Sequence, residues 1–189
     1  MNNTKKRTDI SALSTLHCCI KKSLSQISTG GFEIIFNHRI DADTSMMLIA
    51  ANNKIKKCTD LYTDKKYKET GIELARLIGL GIGLTPSGDD FLCGILAGLI
   101  LTGQTESEFV LSLKSSICEH LSDTVDVSAA FLQCALKGQF SLAVNHLATA
   151  TVENVPKIIE EFLAIGHSSG TDTLCGILYM LELIFNQKS

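Results

Sequence analysis

Ten residues occur twice in this chain almost unchanged, and that repetition limits its fold more than any other feature. Ser87-Gly88-Asp89-Asp90-Phe91-Leu92-Cys93-Gly94-Ile95-Leu96 matches Ser169-Gly170-Thr171-Asp172-Thr173-Leu174-Cys175-Gly176-Ile177-Leu178 at eight of ten positions. Each copy follows a glycine-bearing loop and leads into an apolar run, so each reads as a loop feeding a helix N-terminus. The runs over residues 91–101 and 174–185 lack a polar face, which puts both helices at the centre of a bundle. Gly94, Gly98 and Gly176 would let them cross closely. The expectation is a pseudo-symmetric pair, with helices starting within a residue or two of Ser87 and Ser169 and touching near Gly94 and Gly176.

The rest of the 189 residues reads as a mainly α, helical bundle built around that pair. Ile10, Leu13, Leu16, Ile20, Leu24 and Ile27 recur at three- and four-residue steps, which predicts an amphipathic helix over 10–28, ended by Gly30-Gly31. Phe32-Glu33-Ile34-Ile35-Phe36 reads as one short β element near the N-terminus. Asp43 or Thr44 caps a short helix over 46–51, and the lysine-rich stretch 52–68 reads as a solvent-facing connection. A helix over 69–78, with Ile72, Ala75 and Ile78 on one face, delivers the chain into the first glycine loop. Thr105 or Ser107 starts the next, through Phe109, Leu113, Ile117 and Leu121. Ser122-Asp123-Thr124 caps another, through Ala129, Leu132 and Leu136, which stops at Gly138. A helix through Leu142 and Leu147 follows. Pro156 fits the first turn of the helix that Gly166 closes. Residues 1–60 read as a lead-in segment, a shortened N-terminal part, and 61–189 as the helical domain.

Charge and cysteine usage narrow the function. A net charge of −3 without a dominant basic tract argues against a nucleic-acid partner, and Lys5-Lys6-Arg7 reads as a solvated end. The two apolar runs are too short to cross a bilayer, so no membrane role is expected. Seven cysteines, none in a CxxC pair, suggest neither zinc nor a disulfide framework and fit a reducing cytoplasm. Cys93 and Cys175 sit at equivalent repeat positions, as small hydrophobes.

The chemistry is concentrated in two loops. Gly79-Leu80-Gly81-Ile82-Gly83-Leu84-Thr85-Pro86-Ser87-Gly88 is neither a Walker A motif nor a dinucleotide fingerprint, because the following Lys and the spacing are wrong. Gly81, Gly83 and Gly88 let backbone approach a ligand, and helix N-termini favour anions. Asp89 and Asp90 would repel a phosphate unless a cation or a ligand donor came between. They suit a divalent cation such as Mg, or the NH₂ of an amide or carbamoyl group. His167 precedes the second helix, where the dipole favours its neutral form, though it reads equally as a solvent-facing loop residue. Ser87, Asp89, Ser169 and Asp172 also read as plain helix caps and first-turn acids.

Residues 83–92, Gly83-Leu84-Thr85-Pro86-Ser87-Gly88-Asp89-Asp90-Phe91-Leu92, with Gly166-His167-Ser168-Ser169-Gly170-x-Asp172 downstream, resemble the AllH-type family of oxamate carbamoyltransferase subunits. Thr124, Ser128, Phe131-Leu132, Ala135 and Gly138 are also similar, and the resemblance spans roughly residues 70–186. It implies a subunit working with other carbamoyltransferase subunits, in a hetero-oligomer of anaerobic allantoin breakdown, on oxalurate, phosphate, oxamate and carbamoyl phosphate. On that reading Asp89, Asp90 and His167 are the catalytic candidates. Gly81, Gly83, Thr85, Ser87, Gly88, Ser168, Ser169, Gly170 and Asp172 would bind a small anionic or carbamoyl-type substrate between the loops. The alternative is a non-catalytic assembly or regulatory subunit with structural loops.

Overall fold

Two helices without a polar face need cover on every side, and the remaining elements supply it. The computed structural model describes residues 10–186, so Lys5-Lys6-Arg7 lies outside the described residues. In chain order the helices are α1 (Ile10–Ser25), α2 (Glu33–Phe36), α3 (Met46–Thr63), α4 (Tyr67–Ala75), α5 (Ser87–Leu101), α6 (Glu108–Glu119), α7 (Asp126–Leu136), α8 (Leu142–Ala148), α9 (Val155–Leu163) and α10 (Ser169–Asn186). A 3₁₀ turn at Leu121–Asp123 joins α6 to α7. The mainly α bundle expected from the sequence is what forms.

The most extensive packing is between α5 and α10. Gly94 and Gly176 meet there. A Cβ added at either glycine would lie 2.9 Å from the Cα of the other. It would also overlap the Thr173 carbonyl oxygen from Gly94, and the Phe91 carbonyl oxygen from Gly176. Phe91 and Thr173 are equivalent positions of the repeat, so the contact is two-fold symmetric. Leu92, Ile95, Leu174 and Ile177 are fully buried around it, each contributing about 1.5–3 kcal/mol by leaving water.

The symmetry extends back into the loops. Gly88 donates its N–H to Leu80 O at 2.8 Å, and Gly170 donates to Ile165 O at 3.1 Å. Before each of these, Leu80 bonds back to Leu77 O and Ile165 to Phe162 O. The first loop is the longer by three residues, since 81–87 stand where 166–169 stand. Those added residues are the glycine-rich ones.

Five local expectations need correction. Residues 32–36 are not a strand: Glu33–Phe36 is one helical turn, and no strand occurs among the described residues. The cause is polar. Glu33 Oε1 turns back to accept the Thr29 and Gly30 N–H groups at 2.7 and 2.9 Å, a capping arrangement that requires the turn. The stretch 52–68 is not a connection, because α3 continues to Thr63. Ile55, Cys58 and Tyr62 extend the buried row begun by Leu48 and Ala51. Its lysines are held from the other side: Lys54 and Lys57 reach Glu73 at 3.7 and 3.0 Å. The cap of α3 is Ser45, not Asp43 or Thr44.

On α4 the inward face is Thr70, Gly71 and Leu74 with Ala75, while Ile72 is partly exposed. Gly71 lies against the α6 backbone, and that close approach sets the rotation of the helix. Finally, Ser107 caps α6 as expected, but α7 begins after Val125 without a side-chain cap. Of the expected cap residues Ser122, Asp123 and Thr124, the last gives its hydroxyl to Asp89 instead.

Candidate functional site

The three acids at the starts of α5 and α10 have separate environments. Asp89 is 1 % exposed and saturated. Its Oδ1 accepts the Gly79 N–H at 2.8 Å, and its Oδ2 accepts the hydroxyls of Thr124 at 2.5 Å and Ser128 at 2.6 Å. Thr124 and Ser128 are four residues apart, which places both at the start of α7, facing α5. Asp89 therefore ties three segments together: the entry to the glycine loop, α5 and α7.

Asp172 faces the opposite way. It is fully buried, and its Oδ1 accepts the Phe32 N–H at 2.6 Å. Its Oδ2, with Thr29 Oγ1 and Glu33 Oε2, is buried without a hydrogen-bond partner. Burial pushes the Asp172 carboxyl up to about 6; Phe32 N–H and the Ser87 and Ser168 hydroxyls pull it down, and Glu33 raises it further.

Asp90 is the acid with a cavity in front of it. The Ser169 hydroxyl donates to its Oδ2 at 2.6 Å, and Ser169 lies 3.3 Å from the Thr85 hydroxyl. Ser169 thus faces Asp90 as Ser87 faces Asp172, another crossed pair about the two-fold axis. Burial pushes the Asp90 carboxyl up to about 7; the Ser169 hydroxyl opposes this, Asp172 and Asp89 add to it, and Thr85 opposes it. The cavity beyond, about 370 Å³, is walled by Phe131, Phe140, Phe162 and Ile165, with Ser169 and Asp90 at one side.

The other expected residues fall around this centre. Gly81 has φ +141°, and a Cβ there would sit 2.5 Å from Ser87 N, so the loop folds onto the start of α5 only with glycine. Gly83 has φ +94° in an open part of the loop. Ser87 is the first residue of α5 rather than its cap, which is Pro86. The N–H groups of Asp89 and Asp90 turn to Pro86 O, and that of Asp172 to Ser168 O. Ser168 is half-buried, and His167 is exposed beside it. Among the described residues, no three His, Cys, Asp or Glu side chains are arranged to hold a metal ion. Burial pushes the thiols of Cys93 and Cys175 well up, which suits small hydrophobes and not nucleophiles.

The family model described as oxamate carbamoyltransferase subunit AllH matches residues 77–181, from the turn after α4 into α10. The chain belongs to the AllH family. No solved structure matches it. No helix among the described residues is long and apolar enough to cross a membrane.

In this AllH chain Phe131 and Ala135 of α7 stood out in the sequence only through the family resemblance, not as a cavity wall, and the α8 part of the wall had no signal. The signal available was that α7 carries apolar residues on two faces: Leu132 is buried, yet Phe131 and Val127 are exposed. The clamp partners Thr124 and Ser128 were visible as hydroxyls but not as ligands of Asp89.

The two raised carboxyls predict a pH dependence. An unfolded aspartate titrates near about 3.9. Folded Asp90 and Asp172 hold their protons up to about 7 and about 6. Their protonated forms therefore favour folding fully below about pH 4, and that contribution is lost as pH rises through the folded values. Melting temperature should fall from pH 5 to pH 8, and Asp90→Asn should flatten the upper part of the fall. Glu73 works in the opposite sense at lower pH. Burial raises its carboxyl, but Lys57, Arg76 and Lys54 outweigh burial and hold it below the ordinary range.

Proposed function

We propose that the chain is a substrate-binding subunit of an oxamate carbamoyltransferase, holding the carbamoyl or amide end of its ligand at Asp90. What supports this is the family match together with one observation: Asp90, paired with Ser169, faces a cavity, whereas Asp89 is taken up by three internal donors and Asp172 is fully buried against the Phe32 N–H. A carboxylate accepts from an amide NH₂, and its protonated form donates to the carbonyl. In the direction from oxalurate, the carbamoyl C–N bond breaks and a C–O bond to phosphate forms. The proton of hydrogen phosphate ends on the nitrogen of oxamate, leaving carbamoyl phosphate. A carboxyl that titrates near neutrality is suited to carry that proton.

Phosphate and oxamate together should raise the melting temperature more than their separate shifts combined, because a ligand that binds the native state stabilises it by mass action. Asp90→Asn should abolish the response while changing stability by only about 1 kcal/mol, the worth of one hydrogen bond. One observation favours the second reading, an assembly subunit with structural loops: Asp89 is saturated from within the chain. Absence of any ligand response, with a normal response to partner subunits, would decide for that reading.

A further inference from the structure

The cavity in front of Asp90 has an unusual charge balance for a protein of this proposed role. None of the residues lining it is Lys, Arg or His. The nearest charged groups on α5 and α10 are the carboxyls of Asp90, Asp89 and Asp172, and the last two push the Asp90 carboxyl up. Oxamate and carbamoyl phosphate each have an amide end and an anionic end. The amide end fits Asp90 and Ser169, but the anionic end would lie in an apolar, acid-flanked space, where like charge disfavours it.

The N–H groups of Gly88, Asp89, Asp90, Gly170 and Asp172 do not relieve this, because each is already bonded to a local carbonyl. The glycine loop and one wall of the cavity expose apolar side chains to solvent. Ile82 is 93 % and Leu84 70 % exposed on the glycine loop, where Leu84 adjoins the Thr85 that meets Ser169, and the cavity-lining Phe131 is 55 % exposed. Such exposed apolar residues around a polar centre are what a docking partner covers.

We infer that this cavity is half of a site completed by another subunit, which docks on Ile82, Leu84 and Phe131 and presents a lysine or arginine to the ligand's anionic end. The inference rests on the proposed carbamoyl-ligand role and adds the partner's chemistry. Charge complementarity selects that partner over a second copy of this chain, which would bring the same acids to the same place.

The test compares oxamide, a neutral diamide, with oxamate, its anionic counterpart. Binding is measured to the full chain alone and to the native assembly purified through it. The chain alone should bind oxamide at least about tenfold more tightly than oxamate, and the assembly should reverse the order. Leu84→Asp should prevent assembly and leave oxamide binding to the chain intact. Equal binding of both ligands by the chain alone would overturn the inference, since the chain would then carry its own cation, and would leave the carbamoyl role standing. An assembly that still prefers oxamide, or that forms normally with Leu84→Asp, would overturn it as well. If neither ligand binds chain or assembly, the carbamoyl role fails and the inference fails with it.

Discussion

Gly94→Ala is expected to destabilise the chain by about 3 kcal/mol, even though alanine is the better helix former by about 1 kcal/mol. The reason is the distance of closest approach. An added Cβ lies 2.9 Å from Gly176 Cα and overlaps the Thr173 carbonyl oxygen, both of them backbone that no rotamer change can move aside. The helices must separate, and buried neighbours such as Leu92 and Ile177 lose contact with them. In a domain of this size 1 kcal/mol corresponds to about 2–4 °C, so the melting temperature should drop by roughly 6–12 °C. Gly176→Ala should cost a similar amount, because its contact with Phe91 O is the symmetric one. The double variant should lose less than the two losses added, since once the helices have parted the second methyl meets nothing. A Gly94→Ala chain that melts like the parent would mean that α5 and α10 do not touch there.

Asp89→Ala is expected to cost about 3 kcal/mol or more, with no ligand present. Removing the carboxylate leaves the Gly79 N–H and the Thr124 and Ser128 hydroxyls without an acceptor in a buried place. Asp89→Asn keeps the shape and an acceptor for the Gly79 N–H, but the Thr124 and Ser128 hydroxyls must turn to accept from its NH₂ and lose a charged acceptor, so it should lose part of the same stability. Ser128→Ala, which removes one of the three donors, should cost about 1 kcal/mol. Urea unfolding midpoints at constant slope would measure all of these. Should Asp89→Asn keep its stability and lose only its response to ligand, the residue would be a binding group and not a clamp.

The part of the fold that the sequence displayed is the part in which backbone contact dictates residue type. Gly94 and Gly176 can be nothing larger, and the identical runs around them show that the same demand is met twice. The parts that were hidden depend on which partner a polar group finds. Nothing local in Phe32-Glu33-Ile34-Ile35-Phe36 says that Glu33 will turn back on Thr29 and Gly30, or that Phe32 will give its N–H to a carboxylate 140 residues away. Likewise the lysines of α3 looked like a solvated linker because their counter-ion, Glu73, belongs to the next helix.

The site divides along the same line. That Asp89, Asp90 and Asp172 gather at two helix starts followed from the repeat. Their different duties did not, because adjacent residues on a helix point about 100° apart, and only the packing of α7 and α2 decides what each meets.

The reciprocal contact at Gly94 and Gly176 has the geometry of a dimer of identical chains, yet it lies within one chain. In a true dimer the two acids related by the axis would have to share one environment. Here each half can change without its twin. The aspartate of the second half has been walled in by the segment carrying Phe32, and that of the first half keeps open space before it. Covalent linkage has turned one duplicated design into an anchor on one side and a receptor on the other.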